Sequence, residues 1–534
     1  AVPAPCTGAR ARIDEVWNDA RRAELRRAFE ATRVAWAADS LATTIATLDA
    51  DADAWVAAHT EACRATAIEG VQSEHALDLR MSCLARHRDE LDAVVGVLID
   101  ADAAVVREAT SVAQGLAPIE ECANVEVLAQ RVPEPADLAT RERIAVIARE
   151  LSRAHALAAA GRPRAATEEI AALVPRAREL AWPPLVAEAL QHQGELASRR
   201  GDAAAEAILE ESVWTAVRAG ADATAARAAV ELTHFVGYAN ARPHDALRWF
   251  ELAHAFIDRA GGSPGLEVRL FVTRGAMTLE QGQLARAMAD FEHAREVATR
   301  SLAPDDRLQG MATTAVANAL FVSGKPDEAL PLYEEALALF ERTLGASHPA
   351  VGDLCTNIGN VHWAREHGDD ARRWYERALT IAEQTHGAMH PDVAAVLVNL
   401  AATFDQQERY GEARPLLERA LSIYEATLGP SHPDLVDPLH NLGIELEALG
   451  ELDAAETMAR RAVAIQDASF GPEHPDTIST LRSLASILDA RGKQAERAEL
   501  LERAHAISLK VSGADAEETR QLADRLADAR AKTP

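Results

Sequence analysis

Apolar residues recur three or four positions apart over positions 1–130, the spacing of one helix face. Ile13, Val16, Trp17, Leu25 and Phe29 predict a helix over 10–32. Leu41, Ile45, Leu48 and Trp55 predict a second over 37–66, with a break expected near Asp51. Glu69 and Gly70 end it, and Ser73 is placed to cap a third helix through Leu77, Met81, Leu84, Leu91 and Leu98. A fourth covers 102–115, and the prolines at 118, 133 and 135 mark a boundary.

Further along, the pattern acquires a long period. His348-Pro349, His390-Pro391, His432-Pro433 and His474-Pro475 recur at one constant interval. Leu339, Ile381, Ile423, Ile465 and Ile507 keep the same interval, as do Ala336, Ala378, Ala420, Ala462 and Ala504, and Asn357, Asn399 and Asn441. A fixed period of this length signals stacked supersecondary units. Each unit reads helix–turn–helix. Proline opens the first helix, where its missing N–H costs nothing. A small residue then follows an apolar one at Ile358-Gly359, Leu400-Ala401, Leu442-Gly443 and Leu484-Ala485, and another small residue comes at Ala371, Ala413 and Ala455. Small side chains at these points let helices approach closely. The last unit departs at Arg497.

This phased pattern resembles the tetratricopeptide (TPR) repeat, in the 42-residue form of kinesin light chains. The resemblance implies a right-handed superhelix whose first helices line a concave groove. Gly161, Gly201, Gly282 and Gly324 mark inter-helix turns of more degenerate units upstream. The expected fold is all-α: a small helical N-terminal domain followed by a TPR-like α-solenoid of about nine helical pairs. The expected divisions are a helical domain over 1–135, degenerate repeats over 141–343, regular repeats over 344–511, and a capping helix and tail over 512–534.

Charge narrows the partners. The net charge of −28 argues against nucleic acid and anionic membrane surfaces. No apolar run reaches the ~18 residues of a membrane span, so no direct insertion by this segment is expected. Of 55 basic residues only Lys325, Lys493, Lys510 and Lys532 are lysines, which, with the alanine excess, points to a GC-rich bacterial genome. The chain begins Ala1-Val-Pro-Ala-Pro5 without Met, and reads as a piece of something longer.

Cys6, Cys63, Cys83 and Cys122 cluster in the first domain, where two disulfides allow three connectivities and four buried thiols are the alternative. Cys63 and Cys83 lie at similar distances from the turn joining consecutive helices, while Cys6 and Cys122 bracket the domain. That favours Cys63–Cys83 with Cys6–Cys122. No C-x-x-C occurs, which speaks against zinc or a thioredoxin-like site. His59 reads as an exposed helix residue. Cys355 takes the position of Leu397, Leu439 and Leu481 and reads as core.

Val16-Trp17-Asn-Asp-Ala, Trp55 with Glu61-Ala-Cys63, Gln72-Ser73 and Leu79-Arg80-Met81-Ser-Cys83-Leu84 carry a second resemblance, covering roughly 6–125. They resemble the segment that joins the transmembrane helix to the TPR array in receptor-type bacterial serine/threonine protein kinases. The resemblance implies the C-terminal sensor or scaffold half of such a receptor, on the extracytoplasmic (periplasmic) side of the inner membrane. The oxidising compartment there favours disulfides. The parent would phosphorylate proteins with ATP through a domain outside these residues. A stand-alone cytosolic TPR adaptor is the alternative. A TPR-type transcription regulator would need a helix-turn-helix and a basic face, which this chain does not offer.

No catalytic motif is present: no phosphate loop, nucleophile elbow, H-E-x-x-H or kinase signature. No catalytic residue, cofactor or metal is expected. The histidines at 348, 390, 432 and 474 lie in successive repeats at least ~8–10 Å apart, too far to share a metal with ~2 Å bonds. They read as caps and loop packing. The candidates for a peptide-binding groove are Asn318, Thr356, Asn357, Asn360, Trp363, Asn399, Asp405, His440, Asn441, Glu447 and Arg482. An amide offers a donor and an acceptor to an extended backbone. The expected partner is a protein or peptide, of basic or neutral character where the acidic members lie, with self-association a further possibility.

Overall fold

The computed structural model describes residues 6–34, 36–130 and 132–532, and the Ala1 to Pro5 start lies outside them. The described residues form helices and turns and contain no strand. They divide into two compact units, Ala1–His348 and Pro349–Pro534.

The first unit opens with α1 (Ala9–Ile13), α2 (Asp19–Thr32), α3 (Ala37–Ala67), α4 (Glu74–Ile99), α5 (Ala103–Gln114), a 3-10 turn at Ile119–Ala123 and α6 (Val125–Gln130). The single helix expected over 10–32 is two. Asn18 breaks it, because its side chain accepts from the backbone N–H groups of Ala20 and Arg21 and caps α2. The break turns Trp17 into the core, where its indole N–H donates to Asp49 at 2.7 Å. No break occurs near Asp51. α3 runs 31 residues, and Asp51 instead meets His87 of α4 at 3.0 Å. Ser73 caps α4 as expected, accepting from the N–H of Ala76.

The bridges correct the expected pairing. They are Cys6–Cys63 and Cys83–Cys122, each with a Cα separation of 5.5 Å. Cys63 and Cys83 meet different partners: Cys63 of α3 meets Cys6, just ahead of α1, while Cys83 of α4 meets Cys122 of the 3-10 turn. Each bridge therefore ties a short segment to a long helix. His59 is also corrected. It is buried, with its ring 5.0 Å from that of Trp55 and a ring nitrogen 3.2 Å from the Arg12 guanidinium. Cys355 belongs to neither bridge and is fully buried, as its register position requires.

Five helical pairs complete the first unit. They are α7 (Leu138–Ala159) with α8 (Pro163–Glu179), α9 (Pro183–Arg199) with α10 (Ala205–Arg218), α11 (Asp222–His234) with α12 (Pro243–Arg259), α13 (Pro264–Glu280) with α14 (Leu284–Ser301), and α15 (Arg307–Val322) with α16 (Pro326–Leu344). The second unit holds four more and a cap. These are α17 (Pro349–Ala364) with α18 (Gly368–His386), α19 (Pro391–Asp405) with α20 (Tyr410–Leu428), α21 (Val436–Ala448) with α22 (Leu452–Phe470), α23 (Thr477–Ala490) with α24 (Gln494–Ser512), and α25 (Glu517–Lys532). Within each unit the odd-numbered helices of successive pairs pack on one another and form an inner layer, and each even-numbered helix packs against it.

Two backbone positions per repeat set this geometry. The turn inside each pair needs a left-handed residue, and Gly282, Gly324, Glu366, Glu408, Gly450 and Gly492 supply it in phase with the repeat. The turn between pairs falls at Gly345, Gly387, Gly429, Gly471 and Gly513. At Gly429, φ is 93° and ψ is 163°, a region essentially closed to other residues. The small residues do what their spacing implies: a Cβ added to Gly359 would sit 2.5 Å from the Tyr375 ring.

Opposite stability changes follow within one repeat. Glu408→Gly relieves a left-handed strain and stabilises by up to about 1 kcal/mol, whereas Gly429→Ala costs roughly 1–3 kcal/mol. Urea midpoints check this, and shifts of the same sign would contradict it. The two bridges close 57 and 39 residues of chain. Reducing them removes ~2–4 kcal/mol each, so a reductant lowers the melting temperature of the first unit while the Cys355 unit keeps its own.

Candidate binding face

Each inner helix presents to the inner face the positions that its own core packing does not use. In the second unit these include several of the candidates named from sequence. Asn357, Asn399, Asn441 and His440 are half-buried, and Trp363 stands near the end of α17 with 45 % of its surface exposed. Thr356 turns its hydroxyl back to the Gly352 carbonyl at 3.1 Å. Glu447 accepts from the Ser486 hydroxyl at 2.8 Å, linking α21 to α23, and Arg482 lies 3.6 Å from Glu518 of α25.

Asn318 and Asn360 have a packing task. Each amide oxygen accepts from a tyrosine hydroxyl at 2.7 Å, Tyr333 in one case and Tyr375 in the other. Each tyrosine comes from the outer helix of the same pair and lies 15 residues further on. The later repeats carry Leu417, Ala459 and Leu501 where the tyrosines stand, and Ala402, Ile444 and Ser486 where the asparagines stand. The asparagine occurs with the tyrosine it must satisfy, since a buried phenol needs a partner. That covariation within one sequence is the signal that marks their role.

The histidine row behaves as local caps. Nδ1 of His390, His432 and His474 accepts from the backbone N–H of Asp392, Asp434 and Asp476 at 3.2, 3.3 and 3.4 Å. His348, the first of the row, differs. Burial draws it down to about 4, with Glu108, Arg107 and Arg307 as its charged neighbours.

Two exposed carboxylates of the inner helices, Asp353 and Asp437, have neighbours that disfavour their charge. Water reaches Asp353, yet the surrounding helices desolvate it and, with repulsion from Asp392, raise it to about 6. Asp437, two repeats on, is raised for the same reason, with His440 opposing and Asp434 and Asp476 reinforcing. His440 is lowered by burial, against the pull of Asp437, and Arg482 adds to the lowering. Toward the other ends of the inner helices lie Asp405, at the end of α19, and Glu445 of α21. Glu445 is fully buried, and neither of its oxygens nor Oδ1 of Asp405 meets a donor. Two ionised carboxylates offer only acceptors. A proton taken by one converts the contact into a hydrogen bond, so burial and mutual repulsion push Glu445 up, and burial raises Asp405. Sequence reasoning found Asp405 and missed Glu445, Asp353 and Asp437.

In the first unit the inner layer brings His155 of α7 beside His192 and Glu195 of α9. Burial lowers His155 and takes His192 to about 3. Glu195 is held at about 2 because its cationic neighbours, His155 and Arg199 first among them, outweigh its own burial. No spacing signal reveals this group, because 155 and 192 fall in degenerate repeats.

The carboxyl pair makes stability depend on pH. The folded state raises the Glu445 pKa above its unfolded value, so the native chain keeps a proton that the unfolded chain releases. That stabilisation is complete below the ordinary carboxylate pKa of about 4 and is lost as pH rises through the raised value. Glu445→Gln therefore stabilises at pH 8 by roughly 1–3 kcal/mol and flattens the dependence. Denaturant titrations from pH 5 to 8 read this directly, and an unchanged slope would contradict it.

The tetratricopeptide repeat model matches residues 266–342, 308–384, 354–426, 392–468 and 446–510. No curated protein matches the chain. Among solved structures, the chain is similar to the putative kinesin light chain TPR-like repeats of Podosopora anserina, at 22 % identity over 39 % of this chain and 98 % of that one, TM-score 0.34. It is similar to BtubC of P. vanneervenii, at 24 % identity over 44 % and 92 %, TM-score 0.38. It is also similar to a Rap protein complexed with competence and sporulation factor, at 15 % identity over 65 % and 98 %, TM-score 0.42. Residues 266–510 are tetratricopeptide repeats.

Proposed function

We propose that the inner face of the second unit binds an extended, basic segment of a partner protein. The observation that carries this is a pair of acidic positions on the inner helices, Asp353 and Asp437, whose charged forms are disfavoured by burial and by repulsion from neighbouring carboxylates. A lysine or arginine entering beside them relieves that repulsion, and a charge-assisted hydrogen bond is about twice as strong as a neutral one. The half-buried Asn357, Asn399 and Asn441 suit the backbone of the same segment. Trp363 offers an aromatic face at one edge.

The wider reading is that this chain is the extracytoplasmic sensor or scaffold half of a receptor serine/threonine kinase. The resemblance over 6–125 supports it, and so do two bridges in the N-terminal domain, since disulfides persist in oxidising compartments. Partner binding or self-association would bring two kinase domains together across the membrane. In that account the chain itself transfers no phosphate.

Two measurements test the two levels separately. Selected basic peptides bind at pH 7.5 and weaken several-fold toward pH 5, as Asp353 takes up a proton near 6. Asp353→Asn with Asp437→Asn removes most of the affinity and the pH slope, and unchanged binding would overturn the basic-segment reading. Deleting residues 141–511 from a parent kinase changes its autophosphorylation, and an unaltered level would overturn the receptor reading alone.

A further inference from the structure

The first unit holds three donor side chains that the proposed peptide face does not use. His192 and Glu195 stand three apart on α9, which places them on one helix face. α7 packs on α9 and brings His155 to the same point. The two imidazole rings lie 4.6 Å apart, tilted by 38°, and one donor atom from each of the three residues lies within 4.8 Å of the other two.

Two features distinguish the group from surface histidines that meet by chance. Nδ1 of His192 is shut off from solvent and makes no hydrogen bond. A buried polar atom without a partner costs about 1–3 kcal/mol, so the fold tolerates a cost that a ligand would offset. Glu195 is also held from behind. Gln191 donates to its Oε2 at 3.2 Å and Arg199 to its Oε1 at 2.6 Å. Such outer hydrogen bonds orient metal-ligating carboxylates.

We propose that His155, His192 and Glu195 form a binding site for a divalent first-row transition-metal ion, zinc above all. Two imidazoles and a carboxylate are a donor set that zinc accepts, with bonds of ~2.0–2.2 Å and a fourth position left open. A tetrahedral ion at that distance sets its donors roughly 3.4 Å apart, so small side-chain rotations close the set. Arg199, Arg227 and Arg269 are near enough to affect the charge of these residues. Their repulsion weakens every divalent cation alike, and it is the two imidazoles that select against hard cations such as calcium and magnesium, which gain little from them. Bound there, the ion would lock α7 to α9 and present its open position to the inner face of the first unit.

The test uses the full chain with both bridges intact and no histidine tag, equilibrated with zinc, desalted and assayed for metal by mass spectrometry. The wild type retains about one equivalent. His155→Ala and Glu195→Gln lose it. His390→Ala, which breaks the more open His386, His390 and Asp392 group of the second unit, keeps it. Glu195→Gln preserves side-chain shape, and its circular dichroism shows whether lost metal reflects lost fold. A cobalt derivative adds visible bands that vanish in the same two variants. No retained zinc in the wild type overturns the proposal. So does retention by folded Glu195→Gln, or loss only in His390→Ala.

Discussion

The repeats depend on a close approach between the inner and outer helix of each pair. A small residue at 275, 317, 359, 401, 443 and 485 faces position 291, 333, 375, 417, 459 and 501 of the outer helix, a constant offset. Opposite Phe291 and Tyr375 the inner residue is glycine, at 275 and 359, and an added Cβ would collide with the ring, whereas Tyr333 is accommodated opposite Ala317. Where the outer residue shrinks to Ala459, the space at Gly443 is ordinary, with the nearest side-chain atom 3.6 Å from an added Cβ. Close packing makes such positions sensitive to single methyl groups. The backbone conformations at the two turns then return the chain to the same place in every repeat.

That packing uses one side of each inner helix and leaves the opposite side to face the neighbouring solvent. The two units fill it differently. In the second unit Asp353 and Asp437 stand near the starts of inner helices, and a buried carboxyl pair lies toward the ends of two of them. In the first unit histidine, glutamate and arginine meet at one point. A single repeat architecture thus supports two distinct chemistries, because the structural register constrains small and apolar positions and leaves the exposed ones free.

The same distinction decides what was legible in the sequence. The regular repeats could be read directly, since glycine, proline and small residues are imposed by backbone geometry and recur in phase. The capping role of His390, His432 and His474 followed from their place before proline. The disulfide pairing was misread because distance along a helical hairpin says nothing about which face a residue occupies, and Cys63 and Cys83 face different segments. His59 was misread because burial beside Trp55 depends on a partner outside its own local pattern. Asn318 and Asn360 looked like groove residues until their tyrosines were placed opposite them. Glu445 stayed hidden because a carboxylate in a buried position violates the expectation used to find the core. His155 and His192 come together only through tertiary packing of degenerate repeats.

The central claim is that ligands of the second unit lie along its inner layer. Hydrogen exchange of the full chain, with and without a bound basic peptide, tests it most directly. The account predicts slowed exchange in α17, α19 and α21, with α18, α20 and α22 unchanged. Protection confined to the outer helices α18, α20 and α22 would contradict it.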